Sequence, residues 1–204
     1  MRLSHKHKFI LISIQKTASM TLRVNLNRYS DKIYQWDSKV QIDQHMTAKT
    51  VKKTLFENDT EKFNSYFKFA FVRNPWDRTV SWYENLRKVS SKTESNITEE
   101  SSLGGFKKFI CSEYDGKFSY RLGYDRYYED DSGNNLLDFI GKFENLQEDF
   151  NFVCDKIGIP RQQLPHKNKS KHKHYTEYYD EETKQMVAEK FAKDIEYFNY
   201  DFGE

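Results

Sequence analysis

Three groups of residues in this chain have the types and spacing to do chemistry. The first is the polar turn Gln15-Lys16-Thr17-Ala18-Ser19-Met20-Thr21, which directly follows the apolar run Phe9-Ile10-Leu11-Ile12-Ser13-Ile14. Successive backbone amides at such a turn, followed by a helix N-terminus, make a cradle for an anion. Lys16 adds a point charge, and Thr17, Ser19 and Thr21 add hydroxyl donors. The logic is that of a phosphate loop, although the Gly-x-x-x-x-Gly-Lys-Ser/Thr pattern is missing. A polar turn with a snorkelling lysine is the plain alternative. The second group runs Arg73-Asn74-Pro75-Trp76-Asp77-Arg78 and on to Ser81, after the run Phe67–Val72. Arg73 can grip a phosphate with two parallel hydrogen bonds, and Ser81, about two helical turns on, can reach the same anion. Here the alternative is a capped helix whose Asp77 and Arg78 pair locally. The third is His45, in Gln44-His45-Met46-Thr47-Ala48. An imidazole titrating near neutrality suits removal of a proton from an attacking hydroxyl; a surface histidine near a helix start is the alternative.

These groups need elements to hold them. Phe9–Ile14 is short, nearly continuous and rich in β-branched residues, as expected of a strand buried on both faces of a parallel sheet. Leu22, Leu26 and Tyr29 fit a helix face while Leu22, Val24 and Leu26 alternate like a strand; helix is preferred because it closes a βα unit. Ile33–Trp36 reads as a short strand, and Thr47 as the cap of a helix carrying Ala48, Val51 and Leu55. Phe67–Val72 is a second strong strand, and Pro75 suits the first turn of the helix after it. Lys92–Ser102 reads as an exposed loop, Phe106, Phe109 and Ile110 as a short helix, and Leu136–Phe143 as a third strand. Asn145 with Glu148 resembles a capping box, ahead of a stripe of Leu146, Phe150, Val153 and Ile157 that Gly158 and Pro160 end. Arg161–His174 is a basic loop, and Asp180 starts a last helix through Val187, Phe191 and Ile195. Strand–helix alternation along the whole length indicates an α/β sandwich around a mostly parallel central sheet flanked by helices, in a single domain over residues 1–204.

Composition bounds the function. The chain has 204 residues, with 33 Lys or Arg against 31 Asp or Glu, a formal charge of +2. That balance argues against a dedicated nucleic-acid binder. Aromatics make up 16% of the chain, enough large rings to bury a core despite a mean hydropathy of −0.93. Two cysteines, Cys111 and Cys154, are too few for a disulfide framework. The run Phe9–Ile14 is short of the roughly 7–15 apolar residues of a secretory signal, and none approaches the roughly 20 of a membrane span. The chain therefore reads as soluble and cytoplasmic. The histidines between His166 and His174 match no zinc-site spacing, so no metal is assigned.

Taken together, strand–Lys-Thr-Ala-Ser–helix followed by Arg-Asn-Pro-x-Asp-Arg-x-x-Ser-x-Tyr resembles the sulfotransferases that use 3′-phosphoadenosine 5′-phosphosulfate (PAPS). The resemblance is to their glycan-modifying branch, which includes heparan sulfate 2-O-sulfotransferase and small bacterial relatives. Phe143-Glu144-Asn145-Leu146, Leu164-Pro165-His166 and Tyr178-Tyr179-Asp180 extend it over most of the chain. It implies a P-loop-like fold and transfer of a sulfuryl group to an acceptor hydroxyl on a sugar or glycoconjugate, leaving 3′-phosphoadenosine 5′-phosphate (PAP). By the same resemblance Lys16, Thr17, Ala18, Ser19, Met20 and Thr21 surround the phosphosulfate, Arg73 and Ser81 hold the 3′-phosphate, and Ser170 and Lys173 contact the same end of the donor. His45 is the implied base. The chain departs from the family where Gln15 replaces the usual proline and Met20 a usual hydroxyl residue. Two other classes are weighed against this reading: a nucleotide or small-molecule kinase with a degenerate phosphate loop, and a non-catalytic module binding anionic glycans through the 161–174 loop. Tyr120, Tyr124, Tyr127 and Tyr128 suit either a sugar-stacking surface or a packed lid.

Overall fold

The computed structural model describes residues 1–31, 44–90, 105–112, 123–165 and 173–204. The strand expected at Ile33–Trp36, the loop at Lys92–Ser102, Tyr120 and Ser170 lie outside them. Two compact units make up the chain, one from residues 1–72 and 124–168, the other from residues 73–123 and 169–204.

The first unit is built on a four-stranded sheet in the order β1 (Arg2–Ser4), β2 (Phe9–Leu11), β3 (Phe67–Val72), β4 (Phe139–Lys142). β2, β3 and β4 run parallel, and β1 joins the edge antiparallel to β2. The sheet is the mostly parallel one that the apolar runs predict. β1 is the unforeseen part, because three residues in a basic stretch carry no readable period. Phe9, Ile10, Leu11, Phe69 and Ala70 are wholly buried on both faces, which is why these strands are continuous apolar runs rather than alternating ones.

Helix α1 (Ser19–Leu26) buries Leu22 and Leu26 and leaves Val24 exposed, so the helical reading holds. Its buried side joins Phe9, Leu11, Phe69 and Phe71 in one cluster with Phe150, Val153 and Cys154 of α7 (Leu146–Lys156). Thr47 caps α2 (Ala48–Leu55) by accepting from the Thr50 amide at 3.1 Å, and Asp59 caps α3 (Thr60–Asn64). The capping box expected at Asn145 does not form. Its side-chain amide instead donates to Asp149 at 3.0 Å, and the other Asp149 oxygen accepts from the Lys142 amide at 2.6 Å. The C-terminus of α7 is as expected: Gly158 takes φ 68°, and the Ile159 amide returns to the Cys154 carbonyl at 3.0 Å, a Schellman closure. Around the short helix α6 (Asp125–Tyr128), Tyr124, Tyr127 and Tyr128 are buried, so their faces are packed rather than open to a sugar.

The described part of the second unit is helical. Asn74 caps α4 (Pro75–Ser90), its side-chain oxygen accepting from the Trp76 amide at 3.1 Å and its side-chain NH2 donating to the Asp201 carbonyl at 2.8 Å. Trp76, Val80 and Tyr83 pack with Phe106, Phe109 and Ile110 of α5 (Gly105–Ser112). Asp180 starts α8 (Glu181–Lys190) by accepting from the Thr183 amide at 2.8 Å. The single last helix expected from Asp180 through Ile195 is interrupted at Phe191, and α9 (Ala192–Phe198) follows. No Gly or Pro marks the break; it falls where Phe191 enters the core.

Cys111 and Cys154 are both free thiols, and among the described residues no helix is long and apolar enough to cross a membrane. One packing detail gives a direct test of the sheet. Gly141 of β4 sits opposite Phe71 of β3, and a Cβ there would lie 2.6 Å from the Phe71 ring. Phe71 is buried within the core cluster. Gly141→Ala is expected to cost about 1–3 kcal/mol, read as a lower urea midpoint with an unchanged slope.

Candidate active site

The chain leaves the ladder early at the carboxyl end of β2. The Ile12 amide makes its bond to the Phe69 carbonyl at 2.8 Å, and residues 12–14 stay buried beyond the strand. The turn that follows is made by non-glycine residues in the left-handed region, Lys16 at φ 67° and Ala18 at φ 59°. Such conformations are strained for residues with a Cβ and persist where the surroundings over-determine them. Thr17 supplies part of that determination. Its side chain is 1% exposed and its Oγ1 donates to the Ile14 carbonyl at 3.1 Å, tying the turn to the strand end. The Thr17 hydroxyl hydrogen is thereby committed, leaving the backbone amide as the donor this residue can offer an anion.

Ala18 is the N-cap of α1 and has no side-chain oxygen, so no side chain caps this helix. The first amides of a helix lack intrahelical partners, and here they follow a left-handed nest in which Lys16 and Ser19 are half-buried. Beneath the turn, Ser13 Oγ is buried with no hydrogen-bond partner among the described residues. An uncapped helix start, a nest of amides, a lysine and an orphaned hydroxyl together fit an anionic group.

His45 is brought to this turn. Its Nδ1 lies 2.7 Å from the Ser13 carbonyl. A carbonyl can only accept, so Nδ1 carries the hydrogen, and in the neutral ring Nε2 is then the nitrogen with the lone pair, the form a general base requires. In the first unit, then, the predicted base is held at Ser13 and the predicted loop at the next residue, Ile14.

In the second unit, Arg73 is half-buried and its Nε donates to Asp77 at 2.7 Å, one turn along α4. Asp77, which the alternative reading paired with Arg78, is thus a partner of Arg73. Arg78 is buried, and its amide closes the first turn of α4 on the Asn74 carbonyl at 2.8 Å. Holding Nε from one side orients the guanidinium plane, whose terminal nitrogens are the donors suited to a phosphate. Ser81 is half-buried on the same helix, and Lys173 is exposed. β2 and β3 are parallel neighbours, so residues 12–18 and the residue that precedes Arg73 leave the sheet at the same, carboxyl edge. That edge is where ligands of open α/β sheets bind.

Sequence reasoning passed over a buried carboxylate on α4. Glu84 is 9% exposed, accepts from Arg87 at 2.8 Å and from the Tyr178 hydroxyl at 3.1 Å. Spacing along α4 offered a signal for the Glu84–Arg87 contact; nothing local announced Tyr178. Burial, then the bond to Glu84, pushes the Tyr178 phenol up to about 12 from its ordinary 10.0.

The model of the sulfotransferase family matches residues 1–201, and the chain belongs to that family. It is 30% identical over 157 residues to carbohydrate sulfotransferase 9 of Homo sapiens, covering 66% of this chain and 34% of that protein. It is 24% identical over 177 residues to carbohydrate sulfotransferase 14 of Danio rerio, covering 76% of this chain and 47% of that protein. An uncharacterized protein of Archaeoglobus fulgidus is 32% identical over 103 residues, 49% of this chain and 74% of its own. The chain thus spans a third to a half of the length of these carbohydrate sulfotransferases. No solved structure matches significantly.

The Tyr178 environment yields a pH prediction. Between about pH 10 and pH 12 the folded protein keeps a proton that the unfolded chain has lost. Stability then falls as pH rises through this window, because the unfolded state binds fewer protons. Melting temperatures across it should decline less steeply in Tyr178→Phe than in the parent.

Proposed function

We propose that this chain is a PAPS-dependent O-sulfotransferase acting on a hydroxyl of a carbohydrate or glycoconjugate. The observation that carries the proposal is the turn after β2, with left-handed Lys16 and Ala18 leading into an uncapped α1 and His45 hydrogen-bonded at its base. Membership of the sulfotransferase family supports it, as do relatives named for carbohydrate sulfation. Matching over residues 1–201 supports reading the chain as a single functional domain. A cytoplasmic setting belongs to the same proposal, supported by two free thiols.

In this reading the amides of residues 17–21 and the ammonium of Lys16 take the 5′-phosphosulfate end. Arg73 and Ser81 take the 3′-phosphate, with Ser170 and Lys173 as further contacts of the basic loop. PAPS supplies an activated sulfuryl group on a phosphate leaving group. His45 Nε2 accepts the proton of the acceptor hydroxyl as its oxygen forms the new bond to sulfur. Lys16 stabilises the negative charge that gathers on the phosphate oxygen as the old bond breaks. The products are a sulfate ester, PAP and a protonated His45. Positioning and charge stabilisation carry most of such a transfer, and no metal is assigned to it.

Three substitutions separate the roles. His45→Ala is expected to lower kcat by about 10²–10⁴ without weakening PAP binding. Lys16→Gly removes the charge while relieving the left-handed strain, so it should cut kcat by about 10²–10³ in a protein no less stable. Arg73→Ala should raise the PAP dissociation constant roughly 10- to 100-fold. Calorimetry with PAP and turnover with labelled PAPS read all three; unchanged PAP affinity in Arg73→Ala would contradict the assignment. A kinase would instead be stabilised by ATP and Mg²⁺ in a thermal-shift comparison.

A further inference from the structure

We propose that Arg23 and Gln44 form a clasp that positions His45, making Arg23 a positioning residue for proton transfer. The inference rests on His45 being the base. Arg23 lies on α1, and its Nε donates to the carbonyl of Ser19, the first residue of that helix, at 3.3 Å. Its NH1 reaches across to the side-chain oxygen of Gln44, the residue immediately before His45. His45 in turn donates from Nδ1 to the Ser13 carbonyl at 2.7 Å. The two residues 44 and 45 are therefore held at two points on the same βα unit: Gln44 on the helix that follows the anion turn, His45 on the strand end that precedes it.

Each point fixes something the other leaves loose. The bond to Ser13 sets which imidazole nitrogen carries the hydrogen and fixes Nδ1 in place. Residue 44 is held by two bonds, its carbonyl accepting from the Met1 N-terminal ammonium and its side-chain oxygen from the Arg23 guanidinium, the latter charge-assisted and directional, and together they set the plane from which the ring projects. Gln44 is exposed, so the bond to Arg23 adds little to folding stability; its effect is on geometry. A base displaced by a fraction of an ångström from its proton loses rate even where its chemistry is intact.

A double-substitution cycle tests this. Arg23→Ala and Gln44→Ala should each lower kcat roughly tenfold, with the KM for PAPS and the affinity for PAP unchanged, which also reports a folded donor site. Gln44→Glu, which keeps an acceptor for the guanidinium, should restore most of the rate lost in Gln44→Ala. In a His45→Ala background, adding Arg23→Ala should cost nothing further, since the group being positioned is gone. The same tenfold loss in that background, or weakened PAP binding by Arg23→Ala, overturns the clasp while leaving the base assignment standing. Full turnover by His45→Ala alone removes the base assignment, and the clasp with it.

Discussion

The left-handed turn at Lys16 and Ala18 is the constraint on which the chemistry proposed for the first unit depends. Each of these residues gives up about 1–2 kcal/mol of local backbone preference to adopt φ 67° and 59°. What holds them is specific: the Thr17 hydroxyl bound back to Ile14, the Leu22 amide bound to the Ala18 carbonyl at 3.1 Å, and a strand end that is buried through Ile14. Ala18 at the N-cap forfeits a further stabilisation of about 0.5–2 kcal/mol that Ser or Asp would give. The consequence is functional. A side-chain cap would occupy the amides at the start of α1; with Ala18 there, those amides are the donors that the proposed phosphosulfate would take.

The position of His45 follows from where β2 stops. Had the strand continued through Ile14, the Ser13 carbonyl would face a neighbouring strand as part of the ladder. Because β2 ends at Leu11 and the last bond to β3 is made by Ile12, the Ser13 carbonyl is turned to accept from an imidazole instead. A strand of three residues thus does two things: burial on both faces anchors it, and its shortness presents a backbone acceptor at the edge where the anion turn begins.

How much of this was legible in the sequence depends on what each feature needs. β3, α2 with its Thr47 cap, and the Gly158 closure of α7 follow from local rules, and all are present. Lys16, His45 and Arg73 could be singled out by type and context. Their partners could not. That Asp77 pairs with Arg73 depends on helix geometry, since residues four apart share a face. Ser13 sits inside an apolar run and reads there as core. The Arg23–Gln44 contact joins residues 21 positions apart, and Tyr178 meets Glu84 across 94. Long-range pairings of polar side chains carry no periodicity, so only the folded chain reveals them. Asn145 failed for a related reason: its side chain donates from its NH2 to Asp149, and its oxygen does not accept from a backbone amide.

The two departures from the family pattern have different weight once the turn is seen. A proline at residue 15 would stiffen the approach to the loop by fixing φ. With Gln15 there, the Thr17–Ile14 hydrogen bond braces the same stretch from the side-chain direction, inside a buried environment where such a bond is well protected. Met20 is not offset in this way. Its side chain is 63% exposed and offers no hydroxyl. Yet the donor contributed by any residue at the start of α1 is first its backbone amide, which methionine retains, so the cradle loses one side-chain bond and none of its amides. A loop that relies this heavily on backbone donors depends more on holding its shape than on its side chains, which is why the strained φ angles and their braces matter more here than the missing hydroxyl.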